Sequence, residues 1–145
     1  MTIAKLLGAK PSGRRAVVSV GADAHVRDVV ALLAEHRIGA VPVLADGRVA
    51  GIFSERDMIH ALVERGAAAL DLPVAERMTS PAITVNPDAS VLGALSLMTQ
   101  RRIRHLPVID GEQLVGFVSI GDLVAYRIDG IEAEAEAMRA YIQQG

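Results

Sequence analysis

Two short segments of the chain carry the same polar arrangement. Gly51-Ile52-Phe53-Ser54-Glu55-Arg56-Asp57 and Gly116-Phe117-Val118-Ser119-Ile120-Gly121-Asp122 both read Gly, two apolar residues, Ser, two variable residues, Asp. The apolar pair suits the end of a buried strand, which puts Ser54 or Ser119 at a strand-to-helix junction. Free amide N–H groups and the dipole at a helix N-terminus favour an anion such as phosphate. Asp57 and Asp122 stand three residues later, on the helix face that looks back to the strand end. A carboxylate there can accept two hydrogen bonds from a vicinal diol such as a ribose. The same residues also suit a purely structural role, Ser as helix N-cap and Asp as a first-turn residue favoured by the dipole. Spacing alone leaves both open.

The segments belong to a longer repeat. A gapless shift of 65 residues pairs Val20 with Val85, Asp23 with Asp88, Ile38 with Ile103 and Pro42-Val43 with Pro107-Val108, and 12 of the 41 positions from 18 to 58 are identical. A fixed period means two copies of one supersecondary unit, each burying its apolar face against the other. Each copy reads β-α-β-β-α. A short strand (Val17–Val20; Ile83–Val85) leads through a polar turn to a helix whose Val26, Val29, Val30, Leu33 or Val91, Leu95, Met98 recur at helical spacing. Ser90 is a candidate N-cap for the second of these helices, with Asp23 or Asp88 also available. Ala40–Ala45 with Arg48–Phe53, and His105–Ile109 with Gln113–Val118, form hairpins around Asp46-Gly47 and Asp110-Gly111. Those Asp-Gly pairs sit 64 apart, so the two turn tips should differ. Further helices start at Ser54 and Ser119. The fold class is α/β (α+β), two β-α-β-β-α repeats plus a C-terminal helix. The divisions are 1–66 for the first repeat, 67–72 for a linker, 73–129 for the second repeat and 130–145 for an amphipathic tail with Ile131, Ala135, Met138, Tyr141 and Ile142 on one stripe. Pro73–Met78 opens the second copy with a short helix, and Ile3–Leu7 plays that part for the first.

Composition narrows the function classes. With 51% hydrophobic and 22% charged residues and no Trp, the 145-residue chain builds an aliphatic core. A net charge of -2 gives no global field for nucleic acid or a membrane surface. The absence of Cys excludes disulfides, thiolate zinc sites and cysteine catalysis and fits a cytoplasmic location. The longest apolar run, Val29–Ala34, is too short to span a bilayer. The N-terminus does not read as a signal peptide, because Lys5 and Lys10 interrupt its apolar stretch and Arg14-Arg15 follow.

The duplicated Ser-x-x-Asp motif, Ser54-Glu55-Arg56-Asp57 and Ile103-Arg104-His105-Leu106-Pro107-Val108 together resemble a tandem pair of CBS domains, a Bateman module, over nearly the whole chain. The resemblance implies two halves packed sheet to sheet about a pseudo-two-fold axis, with clefts that bind adenosyl ligands: AMP, ADP, ATP, NAD(H) or S-adenosylmethionine. It implies that Asp57 and Asp122 hold ribose hydroxyls, that Ser54 and Ser119 bind phosphate with help from Arg56, and that Ser19 and Thr84 face the base or phosphate. The backbones at Gly39-Ala40 and Arg104-His105, just before Pro42 and Pro107, would read the adenine edge between Val20, Ile38, Val85 and Ile103. It also implies a homodimer, a flat disc of two modules to which the 131–142 helix adds contacts, and a regulated partner protein.

The copies diverge at the motif itself. Arg56 aligns with Gly121 and Gly39 with Arg104, so unequal sites are expected, the first better supported by its own residues; Arg101, Arg102 and Arg104 suit either a substitute cation source for the second or a solvated face. His25, His36, His60 and His105 lack ligand spacing, so no metal is expected. Without a P-loop or Gly-x-Gly-x-x-Gly, any nucleotide is held in neither a Walker nor a Rossmann manner. No nucleophile accompanies Glu55 or Asp57, so the chain reads as a non-catalytic sensor, with a dimerising scaffold carrying vestigial sites as the alternative.

Overall fold

A computed structural model describes residues 1–9 and 17–144; Lys10 and Arg14-Arg15, which set the N-terminus apart from a signal peptide, lie outside the described residues. The elements run α1 (Ile3–Ala9), β1 (Val20–Gly21), α2 (Val26–His36), β2 (Ala40–Ala45), β3 (Arg48–Ser54), α3 (Glu55–Arg65), α4 (Val91–Arg101), β4 (His105–Asp110), β5 (Gln113–Ser119) and α5 (Ile120–Gln144). Two 3-10 segments, Gly66–Asp71 and Val74–Glu76, bridge α3 to α4.

Each copy folds its two long strands into an antiparallel hairpin, β2 with β3 and β4 with β5. The ladder of each copy is interrupted at the same place, with Ala50 or Val115 as the extra residue of a bulge next to Gly51 or Gly116. Close approach requires glycine at 51, where a Cβ would lie 2.6 Å from the Thr79 carbonyl oxygen; at Gly116 the neighbour is the Leu7 side chain, its Cδ1 2.7 Å from the Cβ position. The turn tips differ as the Asp-Gly offset implies. Asp46 and Gly47 both have positive φ (52° and 77°), the pattern of a type I′ turn. In the second hairpin the loop is Gly111-Glu112 and only Gly111 (63°) is positive, the type II′ pattern.

The leading strands are shorter than the sequence suggests. Val20-Gly21 pair in parallel with Val43-Leu44, and in the second copy a lone parallel bridge from Val85 to Val108 takes the equivalent position. Pro87, with no N–H to donate, stops the second ladder there. The helix starts also differ between copies. Ser90 caps α4, its Oγ accepting from Gly93 N at 2.9 Å. Neither Asp23 nor Asp88 is a cap: His25 holds that position on α2 without a side-chain bond, and the Val26 N–H donates instead to the Leu72 carbonyl at 2.9 Å.

The short opening helices are exchanged. Ile3 and Leu6 of α1 are buried with Val91, Met98, Leu106, Val118 and Leu123, in the core of the second copy. Val74, with half-buried Leu70 and Met78, packs against Val26, Val29, Val41, Val43 and Phe53, in the core of the first. Backbone bonds enforce the crossing: Ile3 N to Ala89 O and Ala4 N to Pro87 O on one side, Val74 N to Ala24 O and Ala75 N to Ala22 O on the other. The tail is a second departure. Residues 131–144 are no separate helix, because α5 runs unbroken for 25 residues through Gly130. Met1 packs beside Gly130, its Cε 2.9 Å from where a Cβ would sit. No helix among the described residues is long and apolar enough to cross a membrane.

Candidate functional site

At the end of β3 the extended backbone of Ser54 (φ -121°, ψ 168°) hands over to α3 through a capping box. Asp57 Oδ2 accepts from Ser54 N at 2.9 Å and from Ser54 Oγ at 3.1 Å, while Ser54 Oγ accepts from Asp57 N at 3.3 Å. Asp57 Oδ1 accepts from Thr79 Oγ1 at 2.9 Å. A carboxylate offers about four acceptor positions, so three are already used by the protein, and a diol that takes two must displace one of these donors, of which Thr79 is the only one from outside the capping box. The structural role of Ser54 and Asp57 is thus realised, and Asp57 also lines the cleft between the two copies. Ser119 and Asp122 repeat the core of this arrangement: Ser119 N donates to Asp122 Oδ2 at 2.9 Å, and Asp122 N donates to Ser119 Oγ at 3.1 Å.

Beside Asp57 a cleft of about 510 Å³ opens between the two copies, of the size that takes small organic ligands. Ser54, Glu55, Arg56 and Asp57 form one wall, with Ile52 and Ile59. The segment Thr79–Ile83 forms another, held to the edge of β3 by Ile52 N to Thr79 O (3.0 Å), Thr79 N to Ile52 O (2.8 Å) and Ser80 Oγ to Ala50 O (2.7 Å). The second copy closes the cleft with Arg102, Ile103, Arg104 and His105. Arg102, in left-handed conformation at the end of α4 (φ 54°), and Arg104 therefore join Arg56 around one cleft, instead of standing in at the second site. Arg101 is not among its lining residues.

His105 lies where the copies meet. Its ring stacks on Phe117, with centroids 5.5 Å apart and 18° between planes. Its Cε1 is 3.6 Å from the position of a Gly39 Cβ, and Glu55 Oε1 is 3.7 Å from that same point. Burial holds the imidazole below its usual pKa, with Arg104 acting in the same direction and Asp122 and Glu55 against it; the ring is neutral at pH 7.

Of the residues singled out in the sequence, Gly39, Ser54, Arg56, Asp57, Ile103, Arg104 and His105 share this cleft. The others do not line it. Val20 pairs with Val43 in β1, and with Ile38 it packs against the first core; Val85 packs against the second. Ala40, Pro42 and Pro107 are buried in strands, Ser19 is half-buried, and Thr84 is exposed. Ser119 and Asp122 start α5, with Asp122 facing His105. The sequence reading missed Thr79, Pro81, Ala82 and Ile83. The first three align with residues 14, 16 and 17 on the 65-residue shift, before the region where the copies match, so the repeat carries no signal for them. Among the described residues no cluster of His, Asp or Glu is arranged to hold a metal ion.

The family model for the CBS domain matches residues 13–64 and again 72–129. The chain is 38% identical over 128 residues to the CBS domain-containing protein CBSX3, mitochondrial, of Arabidopsis thaliana; the match covers 85% of this chain and 62% of that protein. It superposes with TM-score 0.83 and 40% identity on a putative signal-transduction protein with CBS domains from Burkholderia ambifaria, covering 89% of this chain and 95% of that one. Two structures at 23% identity share the fold: CBSX2, solved in complex with AMP (TM-score 0.74; 88% and 96% covered), and the CBS domain pair of MJ0100, solved with 5′-methylthioadenosine and S-adenosyl-L-methionine (TM-score 0.74; 91% and 98% covered). Duplicated capping boxes, matched bulges and a cleft built from both copies agree with the family match, and the chain belongs to the CBS-domain family as a tandem pair.

Proposed function

We propose that the chain is a non-catalytic sensor that binds an adenosyl ligand in the cleft between its copies and conveys occupancy to a partner protein. One observation carries this reading: the Asp57 carboxylate, three arginines and apolar Ile52, Ile83 and Ile103 converge on one cleft. In that cleft Asp57 would take ribose hydroxyls, Arg56, Arg102 and Arg104 would take phosphate oxygens, and the isoleucines would hold the base. Charge-assisted bonds of this kind are the stronger ones. The ligands of the two distant proteins of the same fold are adenosyl compounds, which supports that chemical class. Release of Thr79 from Asp57 would couple binding to the 79–83 segment, the stretch that joins the copies. Exposed Val63, Tyr141 and Ile142 on α3 and α5 suit burial in a homodimer.

The second reading is a dimerising scaffold with vestigial sites, favoured by one fact: protein donors already occupy most of the Asp57 carboxylate. A thermal-shift screen of AMP, ADP, ATP, NAD, NADH and S-adenosylmethionine separates the two. Ligand at about 100 times its Kd adds about 2.7 kcal/mol, which raises the Tm of a chain this size by roughly 5–11 °C. No shift with any of them at millimolar concentration sinks the sensor reading.

A further inference from the structure

The cleft contains one group whose charge changes near neutral pH, and its position is unlike that of the permanent cations. His105 opens β4 and lies between the two helix starts, with Glu55 at the start of α3 and Asp122 in the first turn of α5. Phe117 of β5 packs flat against one face of the ring and fixes its plane. Arg104 precedes it in the chain, and Arg56, Asp57 and Arg102 complete the charged groups around the cleft. The backbone on either side is braced alike in both copies: Glu55 N donates to Gly39 O at 3.0 Å, and Ile120 N donates to Arg104 O at 2.8 Å. A ring in this place feels the net charge of whatever fills the cleft, because desolvation strengthens every electrostatic interaction there.

We propose that His105 takes up a proton when a phosphate-bearing ligand enters the cleft, so that the site binds anionic ligands more tightly as the pH falls. This rests on the cleft being the adenosyl site. In the free protein, burial and Arg104 keep the ring neutral although two carboxylates face it. An incoming phosphate tips that balance, since it adds negative charge and draws the arginines to itself. The linkage is reciprocal: if the ligand favours protonated His105 tenfold, protonation favours the ligand tenfold. The sign follows. His105 is harder to protonate in the free protein than in the complex, so the added affinity is complete below its free-state pKa and is lost as the pH rises through its bound-state pKa. Adenosine, which brings the same base and ribose without the charge, gains nothing. His105 thereby ranks ligands by charge, and the ranking depends on pH.

Two measurements on the intact chain test this. The first is calorimetric titration of ATP, AMP and adenosine at about pH 6.0, each in two buffers of different ionisation enthalpy, which counts the protons taken up on binding. The ligand phosphates also titrate near pH 6, and subtracting the same measurement on His105→Gln removes that contribution. Wild type is expected to take up more protons than the variant with ATP and AMP, and equal numbers with adenosine. ATP affinity should gain over the variant, by up to about tenfold, between about pH 8.0 and pH 5.5. The second needs no substitution: the His105 ring titration, followed by NMR, should move up by about one unit on saturation with ATP, one unit being tenfold in coupling. Equal proton uptake in the two proteins, or an unmoved His105 midpoint with ATP bound, overturns the proposal and leaves the nucleotide site standing. Failure of ATP, AMP and adenosine to bind at any pH overturns the nucleotide site and the proposal together.

Discussion

Ser54–Asp57 and Ser119–Asp122 are the same box set in two surroundings. Both start a helix in the same way, with the Ser amide bonded to the Asp carboxylate and the Asp amide to the Ser hydroxyl. Around the first, Thr79 donates to the carboxylate, Arg56 follows, and arginines of the other copy gather at the same cleft. Around the second, Gly121 stands in place of Arg56 and the carboxylate faces His105. The difference teaches that the duplicated residues are the ones that fold each copy. The residues that would distinguish ligands are the unduplicated ones.

The largest effects test whether the copies are built as exchanged units. Leu6 is buried in the second core although it lies in the first segment of the chain. Leu6→Ala should cost about 2–5 kcal/mol, read by denaturant unfolding. In native-state hydrogen exchange, α4, β4 and β5 should lose protection before the first copy does, and Val74→Ala should show the reverse. Loss of protection in the first copy with Leu6→Ala would contradict the crossing.

Next in size is the comparison of the boxes as sites. Asp57→Ala should weaken ATP binding about tenfold or more, since hydrogen bonds to a charged acceptor are worth about 1.5–3 kcal/mol. Asp122→Ala should cost less than about threefold. Both variants lose a helix-capping interaction of about 1 kcal/mol, and Asp57→Ala also loses the Thr79 bond, so affinities compared at a temperature where both variants stay folded separate folding from binding. A larger binding loss with Asp122→Ala reverses the ranking of the sites.

What the sequence disclosed and what it hid follow from the range of the interactions. The hairpins, the helix faces and even the unequal turn tips were legible, because residues a few positions apart decide them: Asp46-Gly47 and Gly111-Glu112 differ by one slipped residue. The paired Ser and Asp were legible as a motif; that they cap the helix follows from Ser54 N to Asp57 Oδ2 and Asp57 N to Ser54 Oγ, whereas the bond from Thr79, 22 residues away, was hidden. The exchange of α1 and the 74–76 turn was hidden, because Ile3 and Val74 are apolar in either arrangement and only bonds such as Ile3 N to Ala89 O decide between them. The unbroken α5 was hidden because the apolar stripe from Ile131 reads as a helix of its own, and no local residue shows that it continues the helix begun at Ile120. The gathering of Arg102 and Arg104 with Arg56 depends on how the copies pack, which a period does not encode.

The smallest expected effect is also the cleanest comparison of equivalent positions. His25 and Ser90 occupy the same N-cap place on α2 and α4, with nearly identical backbone (φ -74°, ψ 145° and φ -76°, ψ 149°). Only Ser90 makes a side-chain cap, to Gly93 N. Ser90→Ala should therefore destabilise by about 1 kcal/mol. His25→Ser should stabilise by about 0.5 kcal/mol: the backbone already holds the geometry in which a serine accepts from the third residue of the helix, but the Asp28 N–H there already donates to the His25 carbonyl at 3.0 Å. The imidazole of His25 contributes little that a serine would forfeit: its Nδ1 lies 4.0 Å from Asp28 with both side chains largely exposed, and such pairs are weak. The gain and the loss should sum in the double variant to within about 0.5 kcal/mol, as expected for sites without shared partners. Stabilisation by His25→Ser shows that the first copy lacks a cap its backbone would accept. Destabilisation would mean that His25, across from Pro73 in an isolated bridge, holds the exchanged segment by its own side chain.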